Sequence, residues 1–147
     1  MNTTGQSMKE AIVNGNTLMG ISMMFYSLPL IEMFGRLGFK WVLLDCEHGS
    51  LSLSEVENMA IAARSAGIHS IARPRTNSPA DITAVLDRGV TGVQVPHITT
   101  GEEAQLAINA ALFHPLGNRS LALSLIHIYA PTSRYAISYA VFCLKKK

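Results

Sequence analysis

The sequence predicts an α/β fold of four consecutive strand–helix units, the N-terminal half of a (β/α)8 barrel. Three observations predict it. Short apolar runs begin near residues 18, 41, 69 and 92, separated by 23, 28 and 23 residues. That spacing suits a strand, a crossover helix and two loops, so the sheet should be parallel. Polar, ionisable residues follow the runs, as they do where chemistry sits at the C-terminal ends of barrel strands. No Gly-rich phosphate turn follows the first run, which argues against a doubly wound dinucleotide fold. A whole barrel takes about 250 residues, so four units make half of one.

Each element has its own signal. Leu18–Phe25 is a short apolar strand, and Pro29–Leu37 reads as a helix closed by Gly38. Trp41–Asp45 is a second buried strand. Ser52/Glu55 and Ser54/Glu57 both match the capping box, in which a hydroxyl and a carboxylate satisfy orphan N–H groups. The helix they open carries Val56, Met59, Ala60 and Ala63 on one face and ends at Gly67. His69–Arg75 is a third strand. Ser78, Pro79 and Asp81 start a helix that Gly89 closes. Gly92–His97 is the fourth strand, and Thr100 with Glu103 caps a helix running to about Phe113.

Composition narrows the class. The 147 residues are 48% hydrophobic and 15% charged, enough to bury a core and too apolar for disorder. Two cysteines, Cys46 and Cys143, exclude a disulfide scaffold and a paired-cysteine zinc module. No basic segment precedes an apolar core at the N-terminus, so no signal peptide is expected. The uncharged run 11–31 contains Asn14, Asn16, Ser22, Ser27 and Pro29, and falls short of an apolar membrane span. A cytoplasmic setting follows as an expectation. Residues 1–122 hold 8 Lys and Arg against all 10 Asp and Glu, whereas 123–147 hold 4 and none. The acidic balance of the larger part, without basic–aromatic interleaving, argues against nucleic acid.

The chemistry concentrates at strand exits. Asp45-Cys-Glu-His48-Gly49 puts three ionisable groups after a buried strand, which is costly unless they are paired or used. A histidine there can move a proton, with a nearby acid fixing its tautomer. The plain alternative is a loop-capping histidine beside solvated acids. Arg73 lies where alternation places it inward or at the rim, able to hold a carboxylate or an enolate; a structural ion pair is its alternative. Arg75 has uncertain geometry after Pro74 and reads better as a solvated loop arginine. Asp87, near a helix C-terminus, opposes the helix dipole and needs a partner. A histidine from a neighbouring strand end would serve. His69 and His114 read as structural, His97 is balanced between rim substrate contact and structure, and Cys46 reads as buried filler. No His-x-x-His or Cys-x-x-Cys spacing fixes a metal site.

Five ordered strings carry a resemblance: Gly38–Gly49, Ala72–Arg75, Val85–Gly89, Gly92–His97 and His114–Ser120. Over about residues 8–122 the chain resembles the HpcH/HpaI aldolase/citrate lyase family. That resemblance implies a TIM barrel of the phosphoenolpyruvate/pyruvate type, often hexameric. It implies a divalent metal (Mg, Mn or Co) that chelates pyruvate, and retro-aldol cleavage of a 4-hydroxy-2-oxo acid to pyruvate and an aldehyde. Substrates of the 4-hydroxy-2-oxoheptanedioate or 2-keto-3-deoxy-sugar-acid type fit that chemistry. By motif, His48 resembles the base-side histidine, Asp87 the carboxylate that raises its basicity, and Arg73 the arginine that stabilises the enolate. Asp45 and Glu47 resemble supporting residues. The family's metal-binding Glu and Asp lie on later strands, so no metal ligand is expected in residues 1–122 and this chain alone is expected to be inactive. Alternatives are a citryl-CoA or malyl-CoA lyase relative, and a non-catalytic half-barrel that binds a partner.

Residues 123–147 have no counterpart in that resemblance. Leu123–Ile128 and Ile137–Lys147 resemble translated sequencing-library adapters, the second running into poly-A lysines. The expectation is a non-native tail on residues 1–122. A genuine amphipathic terminal segment is the alternative.

Overall fold

The computed structural model describes residues 5–120 and 140–145. In chain order the elements are α1 (Gly5–Val13), β1 (Gly20–Met23), α2 (Leu28–Arg36), β2 (Trp41–Asp45) and α3 (Leu53–Ser65). They continue as β3 (His69–Arg73), α4 (Pro79–Leu86), β4 (Gly92–Ile98), α5 (Gly101–Ala111) and β5 (Ala140–Lys145). The strands form one parallel sheet in sequential order, each joined to the next through a helix over β1 to β4. Sequential parallel order with helical crossovers is the arrangement of a barrel wall, and the four βα units are those of half a (β/α)8 barrel.

Local chemistry places the helices. Ser52 and Thr100 close capping boxes with Glu55 and Glu103, and Ser78 accepts from the Asp81 N–H. Of the two boxes possible at the start of α3, the one at Ser52 forms. α3 and α4 end at Gly67 and Gly89, whose positive φ of 74° and 80° suits residues without a Cβ.

The sheet has two unlike faces. Met23, Val42, Leu44, Ala72, Val93 and Val95 alternate toward the helices and join Ile31, Val56, Met59, Ile82 and Val85 in the main core. Leu43 and Ile71 point the other way, where Met8 of α1, Leu18 and Trp41 cover them. On this inner face Asp45 follows Leu43, and Arg73 follows Ile71. The register pairs Leu43 with Ile71 and Asp45 with Arg73.

Two segments lie outside the elements that the sequence reading named. α1 lies partly within the N-terminal stretch that carried no helical expectation, and its Met8 is buried. β5, in the part read as a tail, pairs in parallel with β4 from Gly92↔Ala140 onward. Residues 123–139 and 146–147 of that expectation lie outside the described residues. Among the described residues, no helix is long and apolar enough to cross a membrane.

Candidate active site at the ends of β2, β3 and β4

The site grows from the register. Asp45 is fully buried at the last position of β2, opposite Arg73 at the last position of β3. Arg73 donates from Nε to Asp45 Oδ1 at 3.0 Å and from Nη2 to Oδ2 at 2.5 Å. This two-pronged geometry suits a planar guanidinium facing a carboxylate. Oδ1 also accepts the backbone N–H groups of Glu47 at 3.0 Å and His48 at 3.2 Å, which folds residues 46–48 back over the strand end. Burial opposes ionisation of Asp45. The Arg73 hydrogen bond, the His48 N–H, the Arg73 charge and the Glu47 N–H outweigh it and hold the carboxyl below its ordinary range.

The loop is tied down on its other side. Ser50 N donates to the Met24 carbonyl at 2.9 Å. A Cβ on Gly49 would stand 2.2 Å from the Asp45 carbonyl oxygen and 2.6 Å from that of Met24. Only a residue without a side chain lets the loop run this close to both strand ends.

Glu47 joins three strands. Its Oε2 lies 3.1 Å from Arg73 Nε and 3.7 Å from His48 Nε2, and its Oε1 lies 2.6 Å from His97 Nε2. Glu47 is nearly buried, whereas the side chains of His48 and His97 are 61% and 63% exposed. Arg73 Nη1 has no acceptor among the described residues, so one edge of the guanidinium remains available to an incoming oxyanion. The arrangement is a buried anionic base under a fixed cation, with two accessible imidazoles beside it. It can bind a carboxylate or enolate oxygen and exchange a proton.

The structure thus brings together Asp45, Glu47, His48 and Arg73. It does not bring Asp87 to them. Asp87 is the C-cap of α4, at the end of the strands opposite the cluster. The partner its position demands is Arg119 rather than a histidine. Arg119 Nη2 and Nε donate to Asp87 Oδ1 at 2.6 and 3.2 Å, and the guanidinium stacks 4.7 Å from the centre of the Phe113 ring. The physical reason is topological: a helix following a strand returns its C-terminus to the start of the next strand, away from the strand ends. Within one chain Asp87 and His48 do not meet.

The remaining residues fall as follows. Burial, then the charge of Asp45, pushes the Cys46 thiol up to about 11 against a smaller opposing effect of Arg75. Cys46 is therefore a protonated core residue and no nucleophile. Burial pulls His69 down, in keeping with a structural histidine. Arg75 is exposed, beyond the end of β3, at a cleft of about 320 Å³ that it shares with Cys46, Leu51 and Asp81. Among the described residues no three His, Cys, Asp or Glu side chains converge as a metal site would require. The oxygens of Asp45 and Glu47 are already engaged by Arg73, His97 and backbone N–H groups. The described residues do not fit a metal.

Glu47 as the hub was underweighted by the sequence, and the contact of His97 was not visible in it. Strand alternation would send His97 to the helix side with Val93 and Val95. The one readable hint was a polar residue after Val95-Pro96 at a strand exit.

Comparisons with known proteins bear on the family and the fold. Residues 22–140 match the model of the HpcH/HpaI aldolase/citrate lyase family. The chain is 32% identical over 104 residues to 2-dehydro-3,6-dideoxy-6-sulfogluconate aldolase of Pseudomonas putida, covering 71% of this chain and 41% of that protein. It is 30% identical over 117 residues to 4-hydroxy-2-oxo-heptane-1,7-dioate aldolase of Klebsiella pneumoniae, covering 80% and 44%. The crystal structure of an HpcH/HpaI aldolase from Desulfitobacterium hafniense superposes with a TM-score of 0.77 at 22% identity, covering 85% of this chain and 49% of that one. The chain thus spans about half the length of the relatives it matches. With four parallel βα units and a family-model match over residues 22–140, the chain belongs to the HpcH/HpaI aldolase/citrate lyase family.

Proposed function

We propose that this chain supplies half of the active site of a carbon–carbon lyase that cleaves a 4-hydroxy-2-oxo acid to pyruvate and an aldehyde. The observation that carries the proposal is Arg73, clamped by Asp45 and Glu47 with its Nη1 left open at the strand ends. Retro-aldol cleavage breaks the C3–C4 bond and leaves its electron pair on the pyruvate portion as an enolate. A fixed guanidinium beside the developing oxyanion lowers that barrier, because the donor is already oriented and needs no reorganisation. His48, exposed and only loosely held by Glu47, is the group that takes the proton of the C4 hydroxyl as the aldehyde forms, and returns a proton to C3 of the enolate to complete pyruvate. Asp45 holds Arg73 in place, and Glu47 supports both.

A divalent metal (Mg, Mn or Co) belongs to the proposal through the family resemblance alone. Its ligands would come from outside the described residues, and no step above passes through it. Asp87 can serve a His48 only if a second copy presents it, which accords with the expected homo-oligomer, a hexamer. The 147-residue chain by itself is proposed to be inactive, with residues 123–147 a non-native tail.

The test is release of pyruvate from a 4-hydroxy-2-oxo acid, followed with and without added divalent metal. The purified 147-residue chain should release none. Metal-dependent turnover by this chain would show that half a barrel suffices, against the proposal.

A further inference from the structure

The segment Gln94–Ile98 breaks the alternation of β4. Val93 and Val95 face the helices, so position 97 should join them. Instead His97 adopts φ 55°, making it the non-glycine residue with positive φ among the described residues. A left-handed residue inverts the alternation that follows: Ile98 enters the helix-facing core at 5% exposure, and the pairing of β4 with β5 shifts between Val95 and Ile98. The imidazole is thereby turned out to the rim. The His97 carbonyl also accepts from Asn77 Nδ2 at 3.4 Å, tying the turned backbone to the loop after β3. Such backbone strain persists where surrounding contacts over-determine it, and it concentrates at functional sites.

What the turn achieves is the 2.6 Å contact between His97 Nε2 and Glu47 Oε1. The other oxygen of Glu47 lies 3.1 Å from Arg73 Nε. The Glu47 carboxylate thus lies between two cationic or potentially cationic groups, the Arg73 guanidinium from β3, whose Nε–H is given to Asp45 Oδ1, and the His97 imidazole from β4. Without His97, Oε1 loses its partner, and the carboxylate is free to rotate toward the exposed His48, 3.7 Å from Oε2. Arg73 Nε would then keep Asp45 alone.

We propose that His97 is a positioning residue: its Nε2, 2.6 Å from Glu47 Oε1, holds the Glu47 carboxylate beside Arg73, and so fixes the orientation in which Arg73 presents Nη1. The purpose of that orientation rests on the aldol reading above, but the geometry does not. Donation from Nε2 also leaves Nδ1 as the open nitrogen of the neutral imidazole.

The test is nitrogen-15 NMR of the full 147-residue chain, which needs no turnover and so fails or succeeds apart from the aldol reading. In the unmodified chain, His97 should carry its proton on Nε2 when neutral, and Glu47→Ala, which removes the acceptor, should shift its tautomer balance toward that of an unpaired imidazole. The Arg73 Nε–H signal reports the second contact. His97→Asn is the informative variant, because Asn tolerates the left-handed backbone but its shorter side chain does not reach Glu47. It should fold and displace the Arg73 signal, whereas His97→Gln, whose longer amide can donate to the same oxygen, should return it toward the unmodified position. An Nδ1–H imidazole, or an Arg73 signal unmoved in His97→Asn, would overturn the proposal and leave His97 an ordinary surface histidine.

Discussion

Arg73 faces Asp45 as its direct register partner across β2 and β3, and the two side chains meet through two hydrogen bonds at 3.0 and 2.5 Å. Two parallel strands, each buried on the helix side, deliver opposite charges to adjacent inner-face positions. The pair is structural, and the proposed function gives it a second role. It neutralises a fully buried carboxylate, and it holds a guanidinium rigidly at the mouth of the site. Substitutions here therefore act on folding as well as on chemistry.

Arg73→Ala leaves the Asp45 charge buried without its cation. Breaking such a pair costs about 3–5 kcal/mol, so this variant should show a much lower urea midpoint. Arg73→Lys keeps the charge but loses the two-pronged geometry, at about 1–2 kcal/mol. The lysine variant is the one that separates binding chemistry from folding. A similar midpoint for Arg73→Ala and the unmodified chain would remove the pair from the stability account.

The acid limb of stability follows from Asp45. Its carboxyl titrates below the ordinary 3.8 in the folded chain. The unfolded chain therefore binds a proton first as pH falls, and the folded state loses stability on going down from about 3.8 toward the lower folded value. Above the ordinary value the contribution is fully present. Urea unfolding between pH 2.5 and 6, about that window, should show this loss in the unmodified chain and less of it in Asp45→Asn. Parallel curves for the two would contradict the assignment.

Asp87 and Arg119 make a second, separate prediction. The Arg119 side chain is fully buried and bonded to Asp87 through two nitrogens. Asp87→Ala should cost about 3 kcal/mol by removing two charge-assisted hydrogen bonds from that buried cation, read as a fall in thermal midpoint. The loss should occur in the monomeric chain, with no substrate or second copy present. An unchanged midpoint would mean that the ion pair contributes nothing to the fold.

Gly49 tests the loop. An alanine Cβ would stand 2.2 Å from the Asp45 carbonyl oxygen, and backbone cannot yield as a flexible side chain does. Gly49→Ala should cost about 1–3 kcal/mol, and the Arg73 Nε–H signal should move with the displaced strand end. Wild-type stability together with an unmoved signal would refute this close approach.

Much of this was legible in the residues. Trp41–Asp45 stood out because five mostly apolar residues end abruptly in Asp-Cys-Glu-His, and the strand has those bounds. The capping residues Ser52, Ser78 and Thr100 all act as N-caps. β3 stops at Arg73 rather than Arg75, since Pro74 has no N–H to donate to the sheet. Other features depend on tertiary contacts that periodicity does not report. The α1 segment mixes Ser7, Lys9 and Glu10 with apolar residues, and only the packing of Met8 against Leu43 and Ile71 reveals its role. Asp87 visibly lacked a partner, yet Arg119 lies 32 residues away in sequence. His97 was the hardest, because one left-handed residue overturns the alternation that any strand reading assumes.

The most direct measurement is pyruvate release by the gene product carried past Ala122 in its source DNA, with added Mg, Mn or Co. The account predicts metal-dependent cleavage of a 4-hydroxy-2-oxo acid that falls by about a hundredfold or more in Arg73→Lys, with folding retained. A folded, extended protein that releases no pyruvate, or one in which Arg73→Lys turns over at the unmodified rate, would contradict it.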